Sequence, residues 1–326
     1  MATPGGTIPS PDPSAAPAMP NLNSTFGAYL IGVYVSLIVY GITILQTFIY
    51  FQNYWSDGIV MKSIVASLWT LETVRQAFSA HAAYHYLVIN YFNPPELERN
   101  VWTIPINTLT TAIIILITHF CFIQRVWYVS KKNKWIVAGL TIICLVHFGV
   151  MVALFEEMWR AVMLSDYRKS NTLIFTALAL SLVTDGSISI ALTYFLYSNR
   201  TGIPSVVNRI IALIVNNGIL LSGSDVVIVI LVSIMSHNFI YMGVFQVVGN
   251  LYVNAVLATL NARNHLRAHQ KQKELSGSGG WRNGRSMAHN QAADNRMQFS
   301  LQSMQDTSHD HSGERTANLK SGQVSF

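Results

Sequence analysis

Cysteine and charge are both scarce in this chain of 326 residues. Its two cysteines, Cys121 and Cys144, do not face an oxidising lumen, so no structural disulfide is expected. Both fall in apolar stretches, where a thiol packs as a small apolar side chain. Charged residues make up 11% of the chain, against about 25% in an ordinary soluble domain. So little charge excludes an extensive protein–water surface. No Gly-rich nucleotide loop, nucleophile elbow or kinase signature is present, and the connections between apolar stretches are too short for a catalytic domain. Neither an enzyme nor a cofactor is expected. The net charge of +6 sits mainly in loops and tail, so nucleic acid is not an expected partner.

What the sequence does hold is apolar length, with 51% of its residues hydrophobic. Seven stretches approach or exceed the ~20 residues that cross a hydrocarbon core of ~30 Å: Tyr29 to Phe51, Lys62 to Leu87, Ile104 to Tyr128, Trp135 to Phe155, Thr172 to Tyr197, Val206 to Met235 and Phe239 to Leu260. In lipid the backbone must close its own hydrogen bonds, so each is expected to be a helix. The fold class is therefore an all-α integral membrane protein, a seven-transmembrane helix bundle. Trp55, Trp102, Trp127, Trp135 and Trp159 stand at span ends as interfacial anchors.

Lysine and arginine set the orientation. With the N-terminus outside and the C-terminus cytosolic, the inner face collects Lys62, Arg125, Lys131, Lys132, Lys134, Arg200, Arg209, Arg263 and Arg267, and the outer face Arg99, Arg160, Arg168 and Lys169. The sequon at Asn23 is then a glycosylation candidate on the outer side. The chain accordingly has four regions: a disordered extracytosolic tail (1–25), the membrane domain (26–261), a basic juxtamembrane segment (262–275) and a disordered cytosolic tail (276–326). Residues 1–25 lack a basic stretch followed by a short apolar core, so the first span is expected to serve as an uncleaved insertion signal. Arg263, Arg267, Lys271 and Lys273 form a cluster suited to anionic membrane lipids, at ~1 kcal/mol each. They fit an ordinary positive-inside bias equally well.

Ionisable residues in mid-span cost roughly 2.5 to 3.5 kcal/mol each, so those that persist have a partner or a task. Glu72 and Arg75 are one turn apart and suit a local ion pair. Ser181, Asp185 and Ser189 form one stripe of the fifth span, and Gln246, Asn250 and Asn254 one stripe of the seventh. The sixth span holds Asn216, Asn217, Gly218, Ser222, Gly223, Ser224 and Asp225 and is the least lipid-like. Glu72, Arg75, Asp185, Asn217, Asp225, Asn250 and Asn254 are thus expected to form one central polar belt for a ligand or an ion. Three carboxylates would share one arginine. A network that merely fixes helix register explains the same residues. His81 and His85 have i, i+4 spacing, but the other span histidines lie up to ~14 Å away along the membrane normal. Zinc bonds of ~2 Å cannot bridge that, and no metal site is expected. The histidines are read as interfacial or packed polar residues.

The pieces Leu71-Glu72-Thr73, Gln124-Arg125-Val126-Trp127 with Ser130-Lys131, Asp185 with Thr193-Tyr194, Asn199-Arg200-Thr201-Gly202, and Leu251-Tyr252-Val253-Asn254 through Leu257-Ala258-Thr259-Leu260-Asn261-Ala262-Arg263 occur in an order and spacing that resemble a known group. It is the fungal (basidiomycete) seven-transmembrane family carrying a domain of unknown function, number 6534. The resemblance implies a seven-helix topology and no activity, since the family has none established. The chain departs from it at Arg75, where members often carry glutamine or another neutral residue, and at Asn250, where they often carry lysine. Arg75 is then expected to stand in for that lysine. The topology also resembles that of G-protein-coupled receptors, but Gln124-Arg125-Val126 replaces the acidic-Arg-aromatic triplet and the seventh span lacks Asn-Pro-x-x-Tyr. That span also lacks a lysine for a retinal Schiff base.

Two functional classes remain. A receptor-like sensor would take a small or apolar ligand from the outer side, move the sixth span, and present the inner loops and tail to a cytosolic partner. A transporter or channel would instead pass protons or cations along Glu72, Asp185 and Asp225. Halves of the chain show no inverted repeat, which many transporters have, and the sensor is the favoured expectation. Plasma membrane and endomembrane are not distinguished.

Overall fold

A computed structural model describes residues 26–91, 93–198, 204–234 and 240–278; for residues 168, 204–210 and 263–278 it describes the backbone alone. The tails at 1–25 and 279–326, with Asn23, lie outside the described residues. The side chains of Arg263, Arg267, Lys271 and Lys273 lie outside them too. The chain divides into two compact units, Met1–His265 and Leu266–Phe326, and the helix bundle belongs to the first.

Helices dominate: α1 (Ala28–Asn53), α2 (Ile59–Tyr84), a short α3 (Pro94–Leu97), α4 (Thr103–Val129), α5 (Lys134–Arg160), α6 (Asn171–Ser198), α7 (Pro204–Ile234) and α8 (Ile240–Ser278). A π-helical turn, His85–Ile89, extends α2, and a 3₁₀ segment, Leu164–Ser170, precedes α6. No β-strand occurs among the described residues; Arg99 and Met163 form an isolated bridge.

Six of the helices are long and apolar enough to cross a membrane: α1, α4, α5, α6, Ile211–Ile234 of α7 and Ile240–Ala262 of α8. The seventh expected span, α2, has the same 26-residue length as α1 but a lower apolar content. It carries Lys62, Glu72, Arg75, Gln76 and His81. Burial separates centre from rim. In α4 and α8, 67% and 61% of the most apolar window is buried, against 22–33% in the other four, so α4 and α8 form the middle of the bundle. The rim helices turn bulky apolar side chains outward, among them Ile31, Ile38, Leu45 and Phe48 of α1 and Ile219, Leu220 and Ile230 of α7. Exposed apolar area on this scale suits lipid rather than water.

Where α1 meets α8 the backbones touch. A Cβ on Gly32 would lie 2.2 Å from the Gly243 carbonyl oxygen, and one on Gly243 would lie 2.6 Å from that of Ala28. Close approach through small residues is how helices associate in lipid, where no hydrophobic force draws them together. At the end of the bundle where α1 begins, two connections are knitted together. Asn100 N donates to Val162 O (2.9 Å), Leu164 N to Glu98 O (2.7 Å), and Tyr167 Oη to Asn100 Oδ1 (2.5 Å). At the opposite end, α4 turns into α5 through Lys131 and Lys132, both with positive φ (56° and 66°). Asn133 then caps α5 by accepting from Trp135 N at 3.2 Å.

Candidate functional site

The polar residues expected to form one belt occupy two separate networks. The first joins α1, α2, α4 and α8. Glu72 and Arg75 lie on the face of α2 that meets α1 and α8, and both are fully buried. Arg75 Nη2 donates to Glu72 Oε1 at 2.6 Å and Nε to both carboxylate oxygens at 3.0 Å. Its other contacts run to Ser36 Oγ (3.3 Å) and Gln246 Oε1 (3.4 Å). Gln76 Nε2 adds a bond to Glu72 Oε1 at 2.9 Å. Asn250 Nδ2 donates to Ser36 Oγ at 2.7 Å, and Asn254 reaches α1 through Thr43 and Val39. The stripe on α8 therefore ties α8 to α1. One positive and one negative charge face each other, and the arginine's charge is balanced on its own helix.

The second network joins α4, α5, α6 and α8, with α7 beside it. Asp185 is not shared with Arg75. Its Oδ1 pairs with His119 Nε2 at 2.8 Å and its Oδ2 accepts from Tyr252 Oη at 2.6 Å. The physical reason is register: α6 and α7 present their acids to α4 and α8, while Arg75 is held on the α1 side. Ser181 Oγ lies 3.1 Å from Tyr252 Oη and also faces the Asp225 carboxylate. His119 contacts Cys144 Sγ at 3.6 Å, and its ring lies 5.9 Å from that of His147. Among the described residues no group of three His, Cys, Asp or Glu side chains is placed to hold a metal ion. Asn217 stands apart from Asp225 and reaches Ala255 O at 3.4 Å.

A cavity of about 80 Å³ adjoins this second network. Tyr29, Asn107, His147, Ser181, Asp225 and Gln246 supply its polar wall; Met151, Leu154, Ile228 and Phe245 are among its apolar lining. It lies toward the end where α1, α4, α6 and α8 begin, next to Tyr167 and Ser170 of the connection before α6. Outside the helices, burial pushes the Tyr167 phenol well above its ordinary range, so it stays a neutral donor to Asn100. Within the cavity wall two buried oxygens have no hydrogen-bond partner, Asp225 Oδ2 and Asn107 Oδ1. A smaller cavity of about 20 Å³, lined by His119, Asp185, Ser189 and Asn217 among others, lies one to two turns further along α4 and α6 and earlier in α7. The His119–Asp185 pair borders it.

Of the expected site residues, Glu72, Arg75 and Asn250 come together, Asn254 lies further along α8, and Asp185 is linked to Asp225 through Tyr252 and Ser181. The partners that sequence reasoning passes over are His119 and Tyr252, which hold Asp185, and Asn107, which links Ser79 to Gln246. Depth along the membrane normal argues against zinc at His119, but it says nothing about a carboxylate partner.

A family model described as a family of unknown function (DUF6534) matches residues 181–265, which run from Ser181 through α7 and into α8. No curated protein and no solved structure matches the chain. The matched segment contains Asp185, Asn217, Asp225, Asn250 and Tyr252, but not Glu72, Arg75 or His119.

Proposed function

We propose that the chain crosses a membrane seven times, N-terminus outside and C-terminus cytosolic, and works as a receptor-like sensor of a small or apolar ligand without enzymatic activity. In support, α2 is as long as α1 and buries Glu72 and Arg75 in a neutral pair, so its lower hydropathy does not bar it from crossing. With α2 counted, the basic turn Lys131–Lys134 and the connection before α7 share the inner face. The observation that carries the reading is the cavity at the outer end, walled by apolar side chains and by the unpartnered Asp225 oxygen. Mostly apolar pockets with a few convergent polar groups are the usual form of small-molecule sites. Asp225 belongs to α7, so an occupant bears directly on that helix. Its movement would be read at Lys131–Lys134, at the connection before α7 and in the tail, where a cytosolic partner would bind.

A proton path is the second reading. It is favoured by the chain Ser181–Tyr252–Asp185–His119, which runs between the two cavities with successive contacts of 3.1, 2.6 and 2.8 Å. Ion and proton flux in proteoliposomes separates the two. The sensor reading expects no flux in either the unaltered protein or an Asp185→Asn, Asp225→Asn variant shown to fold. Flux that disappears in the variant would replace it with transport.

A further inference from the structure

Two hydrogen-bond acceptors in the polar wall of the larger cavity meet no donor among the described residues. Asn107 Nδ2 is used by Ser79 Oγ (2.7 Å) and Gln246 Oε1 (3.1 Å), and Gln246 Nε2 by Tyr29 Oη (3.2 Å). Left unsatisfied are Asp225 Oδ2 and Asn107 Oδ1, each buried and without a partner, on side chains that are 3% exposed. Among the described residues no lysine or arginine lines the cavity, and Arg75 is committed to Glu72. His147 is the one group among the described lining residues able to carry a positive charge. A carboxylate oxygen left unpaired in an apolar setting is costly unless something supplies donors or charge. The rings of Tyr29, Tyr241 and Phe245 also line the space, and aromatic faces attract cations.

We infer that this cavity binds a small organic cation, a protonated amine whose N–H groups reach Asp225 Oδ2 and Asn107 Oδ1 and whose alkyl part lies among the apolar and aromatic side chains. The inference rests on the sensor reading and names the class of ligand. The cavity, at about 80 Å³, is roughly half the size of the ~150 Å³ apolar cavity that takes up benzene, so a molecule of about four heavy atoms fits it.

The test uses the full chain in lipid nanodiscs with three probes of near-equal size: propylammonium, 1-propanol and propionate, each titrated through the millimolar range by ligand-observed NMR. Propylammonium is expected to bind at least tenfold more tightly than 1-propanol. Asp225→Asn is expected to abolish that preference without weakening 1-propanol. A second variant, Ala177→Leu, adds bulk to the cavity lining and is expected to weaken both, which keeps the test valid if Asp225→Asn does not fold. Equal affinity for propylammonium and 1-propanol, or preference for propionate, overturns the cation and leaves the sensor reading in place. Binding of none of the three overturns both.

Discussion

Gly249 of α8 lies against the guanidinium of Arg75 on α2: a Cβ there would stand 2.8 Å from Nε and 3.0 Å from Cζ. The arginine cannot swing aside without leaving Glu72, to which three of its contacts run. Gly249→Ala is therefore expected to destabilise the bundle by about 1–3 kcal/mol, the usual cost of overpacking. The unfolding temperature in detergent measures it. An alanine tolerated at no cost would mean that α8 does not press on the ion pair.

Arg75 and Asn250 meet at one atom, both donating to Ser36 Oγ. Arg75→Gln alone leaves Glu72 buried without its charge partner and should cost about 3–5 kcal/mol. Adding Asn250→Lys returns a cation to the same network and should recover a large part of that loss. A double variant no more stable than Arg75→Gln would show that position 250 cannot replace position 75.

At the cavity end, Lys169 donates to Asp166 at 2.9 Å and Met163 N does so at 3.2 Å. These bonds, with Lys169 first, hold the Asp166 carboxyl below its ordinary value of 3.8. A depressed carboxyl stabilises the fold above its unfolded pKa and loses that contribution as pH falls through the folded one. The segment Leu164–Ser170 is thus expected to keep its proteolytic resistance down to about pH 4 and to lose part of it below. Asp166→Asn should lack this acid step, as followed by limited proteolysis.

Much of the fold is readable in the sequence because lipid imposes a single rule, that a long apolar run must be a helix. Each of the seven long helices coincides with an expected span to within a few residues, apart from α8, whose backbone helix continues to Ser278. The Glu72–Arg75 pair is readable too, since i, i+3 spacing on a helix fixes the contact locally. Asp185 is different. Its partners, His119 and Tyr252, are 66 and 67 residues away in the chain, and helix periodicity says nothing about which faces of distant helices meet. Counting charges by depth alone therefore merges two networks into one belt. The cavity is not readable for the same reason: its walls come from α1, α4, α5, α6, α7 and α8 together.

The proposed function divides the labour between two acids: Glu72 holds the bundle together, and Asp225 serves an occupant of the cavity. Unfolding temperatures of Glu72→Gln and Asp225→Asn, in the same detergent and without added ligand, test it most directly. Glu72→Gln strands the buried Arg75 charge and is expected to unfold roughly 10 °C earlier. Asp225→Asn removes a carboxylate with an unpartnered oxygen and should unfold at the same temperature or higher. If Asp225→Asn loses as much as Glu72→Gln, Asp225 belongs to the structural framework and the division of labour is wrong.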